Sequence, residues 1–309
     1  MEKIYETTLA GRPVVVEIGK LAGLANGSAL VRYGETAVLV TATASAKPRE
    51  GIDFFPLSVD YEERLYAVGK IPGSFTKREG KPTEKAILAS RCIDRPLRPL
   101  FPKDLRNDVA IVATVLSVEQ DNSPEVAAML GAAIALEISN IPFGGPVASV
   151  NVGLVDGEII INPTVEQREK SLLTLTVAAT EKKVVMIEAG AKEVPEDTML
   201  EAILKAHEVI KDLCKFIKTI GEELGKPKFE YPSYEVDPER YEAVKEFALE
   251  KMKYVMDTDD KLVREERLNA LNEEILEHFA EQYPDLEEIL GEIVYKLQKV
   301  VVRTWLKEE

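Results

Sequence analysis

The sequence predicts an α+β domain followed by a separate all-helical domain. Short runs rich in Val and Thr dominate the first part of the chain, and apolar residues at helical spacing dominate the last part. Between them, Lys226–Pro238 contains three prolines, which is typical of a linker. Short strands with intervening helices indicate an α+β layer domain. We therefore expect a first domain over residues 1–228 and a helical domain over residues 238–309.

The first predicted strands follow one another closely. The β-rich runs are Val14–Ile18, Ser28–Tyr33 and Thr36–Thr43, with turn signals at Asn26-Gly27 and Gly34-Glu35. Short β-rich runs that are separated by such turn signals pair as antiparallel hairpins. An antiparallel sheet is therefore expected to begin the fold.

The middle of the chain mixes strands with helices. Ser123 as N-cap and Pro124 in the first turn predict the start of an Ala-rich helix that reaches about Leu136 and packs on a sheet. An amphipathic helix is expected over Glu196–Leu224, where Gly225 ends it. Further strands are predicted at residues 109–118, 148–155, 158–161, 172–178 and 184–188.

The last part of the chain predicts three helices, near residues 238–256, 259–282 and 285–307. A stripe of apolar residues at helical spacing marks the last of them. Its members are Leu286, Ile289, Leu290, Ile293, Leu297 and Val301. We interpret this stripe as the core of a helical bundle rather than as a surface for a partner.

Composition limits the class of protein. The apolar content is 45%, yet no apolar run approaches the about 18 residues of a membrane span, and the first residues lack the apolar segment of a signal peptide. The sequence thus predicts a soluble, cytoplasmic protein without membrane contact. Cys92 and Cys214 lack metal-site spacing and are expected to be free, buried thiols. No glycine-rich nucleotide-binding motif is present.

The charge is unevenly distributed. The whole chain has a net charge of −15, and residues 231–309 alone hold 21 acidic and 11 basic residues. Between Lys77 and Arg106, in contrast, nine basic residues face four acidic ones. Any polyanion contact is therefore expected on the first domain.

Within this basic segment, Arg91, Arg95 and Arg98 have the spacing of one helix face. Guanidinium groups match phosphate oxygens, and the Phe75 ring beside Lys77 and Arg78 offers a surface on which a base can stack. The pattern predicts a site for single-stranded RNA. A solvated basic face, paired to acidic residues elsewhere, is the alternative.

Three segments carry a family resemblance. They read GKLAGLANGSALVRYGETAVLVTATA from Gly19 to Ala44, then PLSVDYEERLYAVGKIPGSFTKREGKPTE, then RCIDRPLRPLFP. The chain resembles the bacterial polynucleotide phosphorylase family over essentially its whole length. The resemblance implies an N-terminal fragment, made of the first ribonuclease PH-type core, with mixed sheets and packed helices, and an all-helical linker domain.

The resemblance also implies a function. Members degrade RNA from 3′ to 5′ with inorganic phosphate, release nucleoside diphosphates, tail RNA in the reverse direction, and assemble as a homotrimeric ring. In the family a loop that usually reads Phe-Phe-Arg-Arg narrows the RNA channel. Here the loop is Phe75, Thr76, Lys77 and Arg78, which implies weaker stacking with the charge retained.

Two positions depart from the family's competent core. Its phosphate-binding turn is serine-rich, whereas here only Ser123 remains, before Pro124, which lacks an N–H, and Glu125, which repels phosphate. We expect Ser123 to act as a structural N-cap. The resemblance thus implies that this core holds no phosphate.

The residues at the family's metal site also differ in this chain. The family uses two aspartates six residues apart and a lysine two residues later, where this chain has Leu175, Glu181 and Lys183. We therefore expect no catalytic residue and no metal in this chain, with Mg²⁺ bound by the second core of the parent enzyme. Glu181 and Lys183 are interpreted as a surface pair at a strand end.

Two functional hypotheses follow. The chain is either an RNA-guiding part of a phosphorolytic exoribonuclease, or a non-catalytic RNA-binding ring subunit of an exosome-like assembly. The helical domain, which resembles the segment that joins the two cores of polynucleotide phosphorylases, favours the first hypothesis.

Overall fold

The computed structural model describes residues 2–49, 51–52, 54–71, 73, 79–233 and 236–308. The chain forms two compact units, Met1–Ser233 and Tyr234–Glu309. Each unit has its own hydrophobic core. The predicted α+β class is confirmed, with a mixed sheet in the first unit and helices in the second.

The first unit opens with a six-stranded sheet of order β1-β2-β3-β4-β6-β5. The strands are β1 (Lys3–Leu9), β2 (Arg12–Ile18), β3 (Gly27–Tyr33), β4 (Thr36–Ala44), β5 (Leu57–Glu63) and β6 (Val109–Ser117). β2, β3 and β4 pair antiparallel, as expected. β1 and β6 also pair antiparallel with their neighbours β2 and β4, whereas β5 lies parallel to β6, and neither β1 nor β5 was predicted. Burial alternates along β1, as expected for a strand, although the apolar Ile4 lies on its exposed side.

The sequence predicts a turn at Asn26-Gly27, but in the structure Gly27 is the first residue of strand β3. A Cβ atom at this position would lie 2.0 Å from the Ala135 carbonyl oxygen of the helix below. Glycine is required here for close packing of helix and sheet rather than for a turn. Gly34, with φ of 56°, does lie in the predicted turn between β3 and β4.

A second, four-stranded antiparallel sheet has the order β10-β9-β7-β8. Its strands are β7 (Ala148–Val155), β8 (Glu158–Ile161), β9 (Leu173–Ala179) and β10 (Val184–Ala191). The predicted hairpin between β7 and β8 is confirmed. Asp156 and Gly157 both have positive φ, 52° and 83°, as expected in the tightest hairpin turns.

Four helices complete the first unit: α1 (Glu84–Leu97), α2 (Pro124–Ile138), α3 (Val165–Lys170) and α4 (Glu196–Leu224). The Ala-rich α2 is buried along almost its whole length and contacts β3, β4 and β7. Its small side chains let both sheets approach it, so α2 lies at the centre of the core. Gly225 ends α4, as predicted, and donates its N–H to the Gly221 carbonyl.

The second unit is a three-helix bundle of α5 (Pro238–Met256), α6 (Lys261–Phe279) and α7 (Glu287–Glu308). Ile293, Leu297 and Val301 of the predicted stripe are buried in its core. The interpretation as bundle core is therefore confirmed. Within the described part of the chain, none of the helices combines the length and the apolarity of a bilayer span.

The segment after α4 is tied to the first unit. The Lys228 ammonium donates to three carbonyls at the C-terminal end of α2, those of Leu136, Glu137 and Ser139, at 2.8 to 3.1 Å. Burial lowers the pKa of Lys228, partly offset by Glu137. Because the Phe229 N–H also donates to the Asn140 carbonyl, the chain past residue 228 still belongs to this unit.

Candidate RNA-binding site

Helix α1 presents the predicted arginines on a fixed support. Its N-cap Thr83 accepts a hydrogen bond from the Ala86 N–H at 3.1 Å, and Ile93 is buried in the core. α1 packs against β5 and α2. Since apolar residues occupy its inner face, the three arginines Arg91, Arg95 and Arg98 are left exposed on the outside.

The three arginines differ in the internal hydrogen bonds and ion pairs that they form. Among the described residues, Arg91 makes no hydrogen bond or ion pair. Arg95 donates to Glu188 on β10 at 2.6 Å, with both side chains about half exposed. An ion pair so exposed is worth at most about 1 kcal/mol, so a phosphate group competes readily with Glu188.

Arg95 does not pair with Asp94, its neighbour in the sequence. Asp94 instead pairs with Arg98, one helical turn later, at 3.0 Å. Consecutive helical residues point about 100° apart, so Asp94 faces the residue four positions on rather than the next one.

Arg98 is held more firmly than the other two arginines. Its guanidinium makes four internal hydrogen bonds: two to Asp94, one to the Phe55 carbonyl and one to the Leu57 carbonyl. A guanidinium has five N–H donors, so one remains for RNA. Arg98 thus joins the end of α1 to the segment that leads into β5.

Three further predicted RNA-binding residues, Phe75, Lys77 and Arg78, lie outside the described residues. Their assignment to the RNA path stays a prediction.

In the turn before α2, side chains of the protein bind one another. Ser123 stands at the N-cap position, but its hydroxyl donates to Glu125 at 2.6 Å instead of capping the helix. Burial alone would raise the pKa of Glu125, but the Ser123 hydroxyl and the Lys85 ammonium outweigh it, and the pKa is lowered. A partly exposed carboxylate with internal partners therefore lies in the turn where the family resemblance implies phosphate binding.

The same turn joins the two sheets, which sequence reasoning missed. Arg12 of β2 donates to the Asp121 carbonyl at 2.6 Å and to Asn122 at 2.7 Å. Asp121 in turn accepts from the Val165 N–H at the start of α3. No local pattern marks Arg12, because its partners lie 109 and 110 residues away in the sequence.

The residues at the position where the family binds its metal, Leu175, Glu181 and Lys183, do not fit a divalent ion. Leu175 is 1% exposed and lines a cavity of about 790 Å³ between the sheets, whereas Glu181 and Lys183 lie exposed in the turn after β9, away from the cavity. Among the described residues, no three His, Cys, Asp or Glu side chains are grouped as metal ligands. The carboxylates that the family places here are absent.

The predicted free thiols are confirmed as unpaired, with Cys214 buried and Cys92 only half-buried at the cavity wall. Burial, together with Glu188, raises the pKa of Cys92 to about 11. This thiol is therefore protonated at neutral pH and is a poor nucleophile or metal ligand.

The fold and this site define a ribonuclease PH-type protein, and comparison with known proteins agrees. The model of the 3′ exoribonuclease family, domain 1, matches residues 10–142, and that of domain 2 matches residues 145–209. The model of the polyribonucleotide nucleotidyltransferase RNA-binding domain matches residues 239–309. A rice protein, Rrp46, shares the fold with a TM-score of 0.54 at 15% identity, over 71% of this chain and 94% of its own.

Curated relatives narrow the assignment. The polyribonucleotide nucleotidyltransferase of Ruminiclostridium cellulolyticum is 60% identical over all of this chain and 44% of its own length. That of Caldicellulosiruptor saccharolyticus is 57% identical over 99% of this chain and 44% of its own length. The chain belongs to the polyribonucleotide nucleotidyltransferase family. It spans less than half the length of these relatives.

Proposed function

We propose that the chain is the RNA-guiding part of a 3′-to-5′ phosphorolytic exoribonuclease. The observation that carries the proposal is the contrast between two places in one core. The arginines of α1 are exposed, whereas Leu175 and Glu125 occupy the positions for metal and phosphate. This core therefore holds RNA without cleaving it.

The chemistry belongs to the rest of the parent protein. There, inorganic phosphate attacks the terminal 3′ phosphodiester and releases a nucleoside diphosphate, with Mg²⁺ bound outside this chain. The parent is proposed to be a cytoplasmic homotrimer in which the two cores form one ring. The family match of residues 239–309 favours this function over that of a free-standing ring subunit.

RNA phosphates are proposed to contact the first unit, although the family model of the helical unit is named for RNA binding. Residues 231–309 carry a net charge of −10. A surface of that sign repels a phosphate backbone at moderate salt. Arg91 and Arg95 are therefore the first contacts to test.

Replacing Arg91 and Arg95 together by Ala should weaken binding of the 309-residue chain to single-stranded oligoadenylate. Each lost phosphate contact should flatten the dependence of log affinity on log salt by about 0.7 to 1. Other sequences should lose affinity equally, because phosphate contacts do not read bases. Fluorescence anisotropy over a salt series measures both quantities.

The matched control replaces Lys215 and Lys218, two exposed lysines of α4, by Ala, which removes the same net charge elsewhere. This variant should retain the wild-type salt dependence. If the arginine variant loses thermal stability while its affinity and salt dependence stay at wild-type values, the arginines are structural and the proposed RNA path over α1 is wrong.

A further inference from the structure

A second groove lies beside the arginines of α1. It has a volume of about 530 Å³ and is formed where the end of β4, the start of β5 and the start of β6 meet. Its lining includes Thr43, Arg49, Phe54, Ser58 and Asp108. The size lies within the range of about 300–1,000 Å³ that small-molecule sites occupy.

Phe54 is exposed next to a partly buried aromatic cluster. Its ring is 59% exposed, whereas the next residue, Phe55, turns inward, with its ring centroid 4.8 Å from that of Phe101. Phe101 in turn packs on Phe143 at 5.1 Å. The packing of Phe55 fixes the chain on one side of Phe54 and leaves the exposed Phe54 ring available for stacking.

Arg98 connects the α1 arginines to the backbone beside the groove. Its guanidinium donates to the carbonyls of Phe55 and Leu57, at 3.3 and 3.1 Å, which flank the groove lining at Pro56. A strand of RNA that follows Arg91 and Arg95 toward Arg98 therefore arrives at the rim of this groove.

The charges in the groove cancel. Arg49 donates two hydrogen bonds to Asp108, one from Nε at 2.9 Å and one from Nη2. The Asp108 N–H is in turn bound by the Ser45 hydroxyl at 3.0 Å. The bidentate pair fixes the plane of the Arg49 guanidinium. Because Asp108 neutralises its charge, the guanidinium attracts phosphate only weakly and offers a flat polar surface instead.

We propose that this groove is a base-stacking subsite of the RNA path, in which the Phe54 ring takes the face of one nucleobase and the Arg49 guanidinium lies at its edge. The inference rests on the proposed function. It adds a contact to the base, whereas the α1 arginines contact phosphate. Stacking on an aromatic side chain tolerates every base, which suits an RNA path without sequence preference.

The test uses the 309-residue chain and a single-stranded oligoadenylate that carries a fluorescent adenine analogue. Phe54→Leu should lower the affinity roughly tenfold, as the loss of one stacked base predicts. Its salt dependence should equal that of the wild type, because no phosphate contact is lost. Phe54→Tyr, which keeps the ring, should bind as the wild type does.

Arg49→Lys keeps the charge but loses the planar fork, so we expect a several-fold loss of affinity. The control is Arg32→Lys, since the exposed Arg32 of β3 also pairs with a carboxylate, that of Glu17 on β2, at 2.7 Å. This control should leave binding unchanged.

Wild-type affinity of Phe54→Leu would overturn the subsite, as would an equal loss in Phe54→Tyr. A flattened salt dependence in Phe54→Leu would also overturn it, because the residue would then act through phosphate. If binding depends on Arg91 and Arg95 but not on Phe54, the subsite alone fails. If the wild-type chain binds no RNA, the RNA path and the subsite both fail.

Discussion

At the scale of single residues, the departures from the competent family core are structural replacements. Leu175 contributes to the wall of an apolar cavity, and Glu125 is held by the Ser123 hydroxyl and by Lys85 at 3.2 Å. Leu175 is buried and Glu125 has internal partners, so the fold accommodates both side chains. The loss of chemistry in this core is therefore compatible with a well-packed fold.

Gly27 gives a prediction at this scale. Gly27→Ala should lower the free energy of unfolding by about 1–3 kcal/mol or more, because the new Cβ atom would collide with the backbone of α2. Urea unfolding of the chain, followed by circular dichroism, measures the change.

The control is Gly23→Ala, where a Cβ atom meets nothing within 4 Å. It should unfold at the wild-type urea concentration or slightly above. Equal stability of both variants would contradict the close approach of β3 and α2.

At the scale of elements, the proline-rich segment has two different parts. Residues 226–233 are bound to the first unit by Lys226, Lys228, Phe229, Tyr231 and Ser233. The predicted linker over Lys226–Pro238 was inferred from its prolines alone. Residues 226–233 of the predicted linker thus belong to the first unit.

Limited proteolysis with a glutamyl endopeptidase should therefore cut after Glu235 before it cuts after Glu230. A protease needs several residues in an extended, accessible backbone, and the contacts of residues 226–233 protect Glu230. Mass spectrometry of early fragments identifies the first cut.

Lys228→Ala removes the three hydrogen bonds to the end of α2 and should accelerate the cut after Glu230 without changing that after Glu235. A first cut after Glu230 in the wild type would contradict the assignment, and so would early cuts confined to α4.

At the scale of the whole molecule, the chain combines a ribonuclease PH-type fold with a core that, under the proposed function, does not carry out phosphorolysis itself. The two family models of the 3′ exoribonucleases cover its two sheets, yet the turn between them is tied by Arg12 and Asp121.

The purified chain should accordingly release no nucleoside diphosphate from poly(A) in the presence of Mg²⁺ and phosphate. Thin-layer chromatography of labelled products measures the release. The control is a longer relative of the same family, assayed under the same conditions. Sustained turnover by this chain, after removal of contaminating host enzyme, would refute the assignment of an inactive core.

Much of the architecture follows from local sequence. Several local signals act over a few residues: the first-turn proline of α2, the glycine after α4, the Asp156-Gly157 turn and the spacing of the α1 arginines. Hydrophobic periodicity and turn chemistry are local properties, so the sequence by itself determined the α+β class, the helical unit and the exposed basic helix.

Other features were decided by tertiary structure alone. Three such features join residues that lie far apart in the chain: the parallel pairing of β5 with β6, the ion pair of Arg95 with Glu188 and the hydrogen bond from Arg12 to Asn122. Which distant residues meet depends on how the sheets pack on α2, and no periodicity encodes that. For the same reason the sequence marked Phe75 as a stacking ring but not Phe54, whose exposure results from the inward turn of Phe55.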